Sequence, residues 1–133
     1  MKAQSTIFCG AILAFFAVAI GAFGAHAWQA ILQAHATSTI FATASQYHFI
    51  HALGLLWLGL YQTLQPSQNS NTALSWTAIL FLCGTLIFSG SLYALALSGS
   101  RWLGAITPIG GLLLLAAWAT LAWSVGLRHI NKT

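Results

Sequence analysis

His48 and His51 stand three residues apart in the segment Gln46-Tyr47-His48-Phe49-Ile50-His51, a spacing that brings two side chains onto one face of a helix. Neutral imidazoles of this kind suit zinc, copper or nickel, and His26 offers a third ring to the same ion. Ser89, Ser91, Tyr93 and Thr107 add hydroxyls, Gln46 an amide, and Arg101 a planar fork of donors for an anionic group. The chain has no aspartate or glutamate. That removes carboxylate proton relays, acid-pair hydrolysis and mixed histidine–carboxylate metal sites. A nucleophile, a base and an orienting carboxylate cannot be assembled either, so no enzyme is expected. No haem-attachment motif is present and no cofactor is called for.

The elements that position these groups follow from composition. Of 133 residues, 59% are hydrophobic and 3% charged, where a soluble domain carries about 25% charged residues. Charges are scarce where hydrocarbon makes them costly, so the expected solvent is a bilayer. A helix needs about 20 apolar residues to cross it. Four stretches qualify: Ile7–Ala25, Gln46–Leu64, Ala73–Leu97 and Leu103–Leu127. The expected fold is an all-α bundle of four transmembrane helices forming one integral membrane domain over residues 1–133. Ile7–Ala25 is longer than the apolar core of a signal peptide, usually about 7–15 residues, and reads as a true span.

Lys2, Arg128 and Lys132 fall on one face of such a bundle and Arg101 on the other. Lysine and arginine favour the cytoplasmic side, so both termini are expected inside, in a bacterial inner membrane. These few charges form no patch for nucleic acid. Cys9 and Cys83 lie in different spans without metal-ligand spacing and read as small packing residues.

Small residues at Gly10, Ala14, Ala17, Gly21 and Gly24 draw a stripe along the first span. Such a stripe admits a neighbouring backbone closely, either within the chain or at a homo-oligomer seam. Between Ala27 and Ser45 the chain is polar but uncharged. A short interfacial helix is expected there, begun by Thr37 or Ser38 and running into the second span. Gln65–Thr72 reads as a polar connector. In Gly104-Ala105-Ile106-Thr107-Pro108-Ile109-Gly110-Gly111, Pro108 lacks an N–H and clashes with the carbonyl four residues back, so a Pro-kinked fourth helix, or a broken turn near Pro108, is expected. The two hairpins show no internal repeat.

Placed by depth at about 1.5 Å per helical residue, His26, Gln46, Tyr47, His48, His51, Ser89, Ser91, Tyr93, Arg101 and Thr107 all gather in the outer leaflet. The segments that carry them are Gly21–Ala27, Gln46–Leu53, Phe88–Tyr93 and Arg101–Gly111. In that order they resemble the bacterial domain-of-unknown-function 423 family, small four-span inner-membrane proteins related to eukaryotic transmembrane protein 256. The resemblance covers nearly the whole chain. It implies a four-helix membrane architecture and little about activity. The chain departs from it in the outer loop, which has no charge between Lys2 and Arg101.

Three readings of the polar residues stay open. They bind a small polar ligand or lipid headgroup, with transport as one use; they only fix helix packing, through a Gln46–Tyr47–His51–Ser91 network; or His26, His48 and His51 bind a metal.

Overall fold

The structure, a computed structural model, describes residues 1–65 and 72–130, with side chains given through residue 126. The expected connector Gln65–Thr72 falls mostly outside the described residues, as do Lys132 and the side chain of Arg128. Among the described residues the chain is all helical, without strands. Its elements are α1 (Ala3–Ala25), α2 (Gln29–Ala34), α3 (Ser38–Leu64), α4 (Thr72–Ser98), a 3-10 turn (Arg101–Ala105) and α5 (Thr107–Ile130).

Three stretches are long and apolar enough to cross a membrane: Ala3–Ala25, Thr72–Ser98 and Arg101–Gly126. α3 has the length, 27 residues, but Ser45, Gln46, His48 and His51 dilute its apolar character. α3 and α4 pack together at the centre, with α1 laid along α3 and α5 along α4. Leu13, Leu55, Leu58, Leu74, Phe81 and Leu114 form the core between them. Outward faces are equally apolar: Phe8, Phe15 and Phe23 on α1 and Leu112, Leu115 and Trp123 on α5 are all exposed. A helix apolar on every side suits a lipid solvent.

Glycine sets the spacing of both outer helices. A Cβ on Gly10 would meet the Leu56 amide nitrogen at 2.9 Å, and one on Gly24 would run into the Phe41 ring. On the other side, a Cβ on Gly84 would lie 2.8 Å from Leu114, and one on Gly110 would collide with the Phe88 backbone. Gly10, Ala17 and Gly24 of the small-residue stripe are thus buried inside the chain, while Gly21 has open space beside it. Cys9 is half-buried, but Cys83 lies exposed on α4. Cys83 therefore does not pack in the interior as its apolar surroundings in sequence suggested.

The α2–α3 junction closes one end of the molecule. α3 does begin after Thr37, yet the Thr37 hydroxyl makes no N-terminal cap. It donates instead to the Ala96 carbonyl at 2.7 Å, and His35 Nδ1 lies 3.4 Å from the same oxygen. Carbonyls in the last turn of a helix have no partner within it, so this junction supplies one for α4. Gly99, at φ +71°, ends α4 in the left-handed conformation that glycine adopts freely.

The expected break near Pro108 takes the form of a turn ahead of the helix, not a kink inside it. α5 starts at Thr107, not Leu103, and Pro108 occupies its first turn. There the missing N–H would have no intrahelical partner anyway and the fixed φ suits the helix. The chain direction changes earlier, through the 3-10 turn and Ile106.

Candidate functional site

The polar residues expected to converge separate into groups that do not meet as one cluster. His51 is buried and fully engaged: its Nδ1–H donates to the Tyr47 carbonyl at 2.7 Å, and its Nε2 accepts from the Trp118 indole N–H at 3.2 Å. The Tyr47 ring stacks on it from the same helix, 5.8 Å between centroids. Ser91 and Thr107 bond each other at 2.8 Å between α4 and α5. Of the expected Gln46–Tyr47–His51–Ser91 network only the Tyr47–His51 link is made, because Gln46 is exposed and Ser91 turns toward α5.

His26 and Arg101 stay outside as well. His26 closes α1 on the exposed side, and Arg101 begins the exposed 3-10 turn beside Trp102. Among the described residues, no three histidines, cysteines or acids are placed to hold a metal ion. The physical reason is visible at His51, both of whose ring nitrogens are spent on a carbonyl and an indole. His48 and His51 start from one face but point to different neighbours, α4 and α5.

Among the described histidines, His48 has a buried ring nitrogen without a partner. Its Nδ1 lies 3.4 Å from the Tyr93 hydroxyl, which donates to Ser45 Oγ at 3.2 Å. Its Nε2 is buried without a hydrogen-bond partner. The Leu13 backbone approaches the imidazole, but not in hydrogen-bonding geometry with Nε2. Ser89, one turn before Tyr93 on α4, carries a second buried and unpartnered atom, Oγ. The two residues are 5% and 2% exposed.

Both line one groove of about 190 Å³ between α1, α3 and α4. Leu13, Phe16 and Ile20 form its α1 wall, and Thr85, Leu86 and Gly90 belong to α4. Phe16, Leu86 and Gly90 are exposed, so the groove opens sideways between the helices. Ser89 sits roughly 14 Å along α4 from its Ser98 end, at 1.5 Å per residue. Gly90 has nothing within 4 Å of where its Cβ would be, which leaves the rim clear. Ser45, at the far end of the His48–Tyr93–Ser45 chain, borders a second hollow with Gln29, Gln33 and Ser38.

Sequence reasoning missed Ser45, Trp118, Thr37 and His35 as partners. Trp118 carried a usable signal, since a tryptophan N–H in an apolar setting needs an acceptor. Ser45 did too, lying three residues before His48 and hence on its face.

Long helices whose outward faces are as apolar as the core between them define an integral membrane protein. The chain belongs to the family described as "Protein of unknown function (DUF423)", whose pattern matches residues 20–111. It is similar to the UPF0382 membrane protein SSP2132 of Staphylococcus saprophyticus, 42% identical over 86% of this chain and 91% of that one. It is also similar to SERP0230 of Staphylococcus epidermidis, at 44% over 86% and 89%. The UPF0382 inner membrane protein YgdD of Escherichia coli is 36% identical over 91% and 88%. No solved structure matches the chain.

Proposed function

We propose that this protein spans a bacterial inner membrane four times and holds the apolar chain of a lipid in the groove lined by His48 and Ser89. α1, α3, α4 and α5 are the spans of one integral unit over residues 1–133, with α2 at the outer boundary and both termini in the cytoplasm. In sequence, Lys2, Arg128 and Lys132 fall near the termini against Arg101 in the opposite loop, a bias that favours cytoplasmic termini. The role is binding, not catalysis.

One observation carries this reading: Leu13, Phe16, Ile20 and Leu86, with His48 and Ser89 beside them, line a laterally open groove whose accessible wall is apolar. The unpartnered His48 Nε2 and Ser89 Oγ lie buried behind that wall. The reading in which polar residues only fix packing is favoured for the rest: His51 with Trp118, Ser91 with Thr107, and Thr77 with Thr120 at 3.0 Å across α4 and α5. Gln46, His26 and Arg101 drop out of the site.

Mass spectrometry of the intact protein released from mild detergent tests the groove. Wild type and Gly126→Leu, a change at another glycine with open space, are expected to retain a bound lipid-sized mass that Gly90→Leu loses. Equal retention by all three would refute binding in the groove.

A further inference from the structure

We infer that the hollow where α1, α2 and α3 meet binds an uncharged, hydroxyl-rich group, a glycosyl headgroup or a free sugar, through Gln29, Gln33, Ser38 and Ser45. This rests on α2 lying at the outer boundary and not on the groove lined by His48 and Ser89.

The hollow is built by packing around small residues. α2 touches both α1 and α3, and about 360 Å³ stays open where the three meet. A Cβ on Gly21 would find nothing within 4 Å, and Ala25 and Ala42 line the space beside it. Beneath lie Leu32 and Phe41, both buried, with the Phe41 ring against Gly24. Trp28 stacks on Phe23 at 5.3 Å between centroids and meets Phe41 edge-on at 6.1 Å. Tryptophan favours the water–lipid boundary, which is the depth of headgroups.

The polar groups converge from two helices. Gln29 and Gln33 stand four residues apart on α2, and Ser38 and Ser45 seven apart on α3, so each pair shares a helix face. Gln29, Gln33 and Ser38 are exposed, which puts their polar atoms within reach of an occupant. Their side chains enter no hydrogen bond among the described residues. Ser45 is half-buried; its oxygen accepts from the Tyr93 hydroxyl at 3.2 Å, and its own O–H remains to be given.

This set selects its ligand by hydrogen-bonding character. Amides and hydroxyls both donate and accept. An ester or ketone only accepts and an ammonium only donates, so either leaves half the capacity unused. No charged side chain lines the hollow, and the chain has no carboxylate for a cation. A phosphate would find donors there but no counter-charge. Several adjacent hydroxyls on one ring answer both kinds of group at once, and the apolar floor accommodates the ring's C–H face.

The test is binding to the full chain in nanodiscs, read by the bound mass on release. The probes are a diglycosyl-diacylglycerol, diacylglycerol and phosphatidylglycerol, all with the same acyl chains. The glycolipid is expected to bind more than about tenfold tighter than either of the others. Gln33→Ala is expected to weaken it by about three- to tenfold, Gly21→Leu to abolish its binding by filling the hollow, and Gly126→Leu to leave it unchanged. Displacement by the free disaccharide would identify a soluble sugar as the source, and failure to displace, the membrane headgroup. Phosphatidylglycerol binding as tightly, and lost with Gly21→Leu, would overturn the uncharged class. Glycolipid binding indifferent to both Gln33→Ala and Gly21→Leu would overturn the site, and its loss with Gly90→Leu alone would place it in the groove instead.

Discussion

Ser89 and Ser91 lie two residues apart on α4, yet one hydroxyl is unpaired and the other bonds Thr107 on α5. Their alanine variants should differ accordingly. Ser91→Ala is expected to lower stability by about 0.6 kcal/mol, the usual worth of an interhelical hydrogen bond in a membrane. Ser89→Ala is expected to leave empty protein unchanged or up to about 1 kcal/mol more stable, since it removes a buried orphan. Trp118→Phe strands His51 Nε2 and should cost about 1–3 kcal/mol. Unfolding in mixed micelles of graded denaturing detergent measures all three. That these positions are polar and close in depth was legible in the sequence. Which hydroxyl finds a partner was not, because the outcome depends on how α4 is rotated against α1 and α5. The same rotation sends His48 and His51 to different helices although their spacing reads as a pair.

At the scale of the element, glycine contacts and helix starts decide most. Gly110→Ala places a Cβ against the Phe88 backbone, which cannot yield, and should cost about 1–3 kcal/mol in the unfolding assay. Pro108→Ala should change stability by under about 1 kcal/mol, because the proline sits in the first turn of α5. A loss near 3 kcal/mol would instead indicate the interior kink read from the sequence. The four long helices were legible as apolar runs, and their inner limits agree within a few residues. α3 begins eight residues before Gln46, since Ser38–Ser45 is helix-compatible but too polar to register as a span. The apolar residues of the 3-10 turn made the fourth run look longer than its helix. The stripe on α1 was legible as a close-packing surface, but only Gly10, Ala17 and Gly24 are buried by α3.

For the whole molecule, composition alone pointed to the membrane, and relatives named as membrane proteins agree with it. With Cys9 and Cys83 replaced by serine, Lys2→Cys and Arg101→Cys should react with a membrane-impermeant thiol reagent from opposite sides, Lys2→Cys only after the cytoplasmic face is opened. Labelling of both from one side would remove the four-span arrangement. The central claim concerns the laterally open groove lined by His48 and Ser89. Nitrogen-15 NMR of the His48 imidazole, in the protein as extracted from the membrane and again after delipidation, addresses it at the residue concerned. The account expects the resonances to move on delipidation in wild type but not in Gly90→Leu. Resonances indifferent to delipidation in wild type would contradict it.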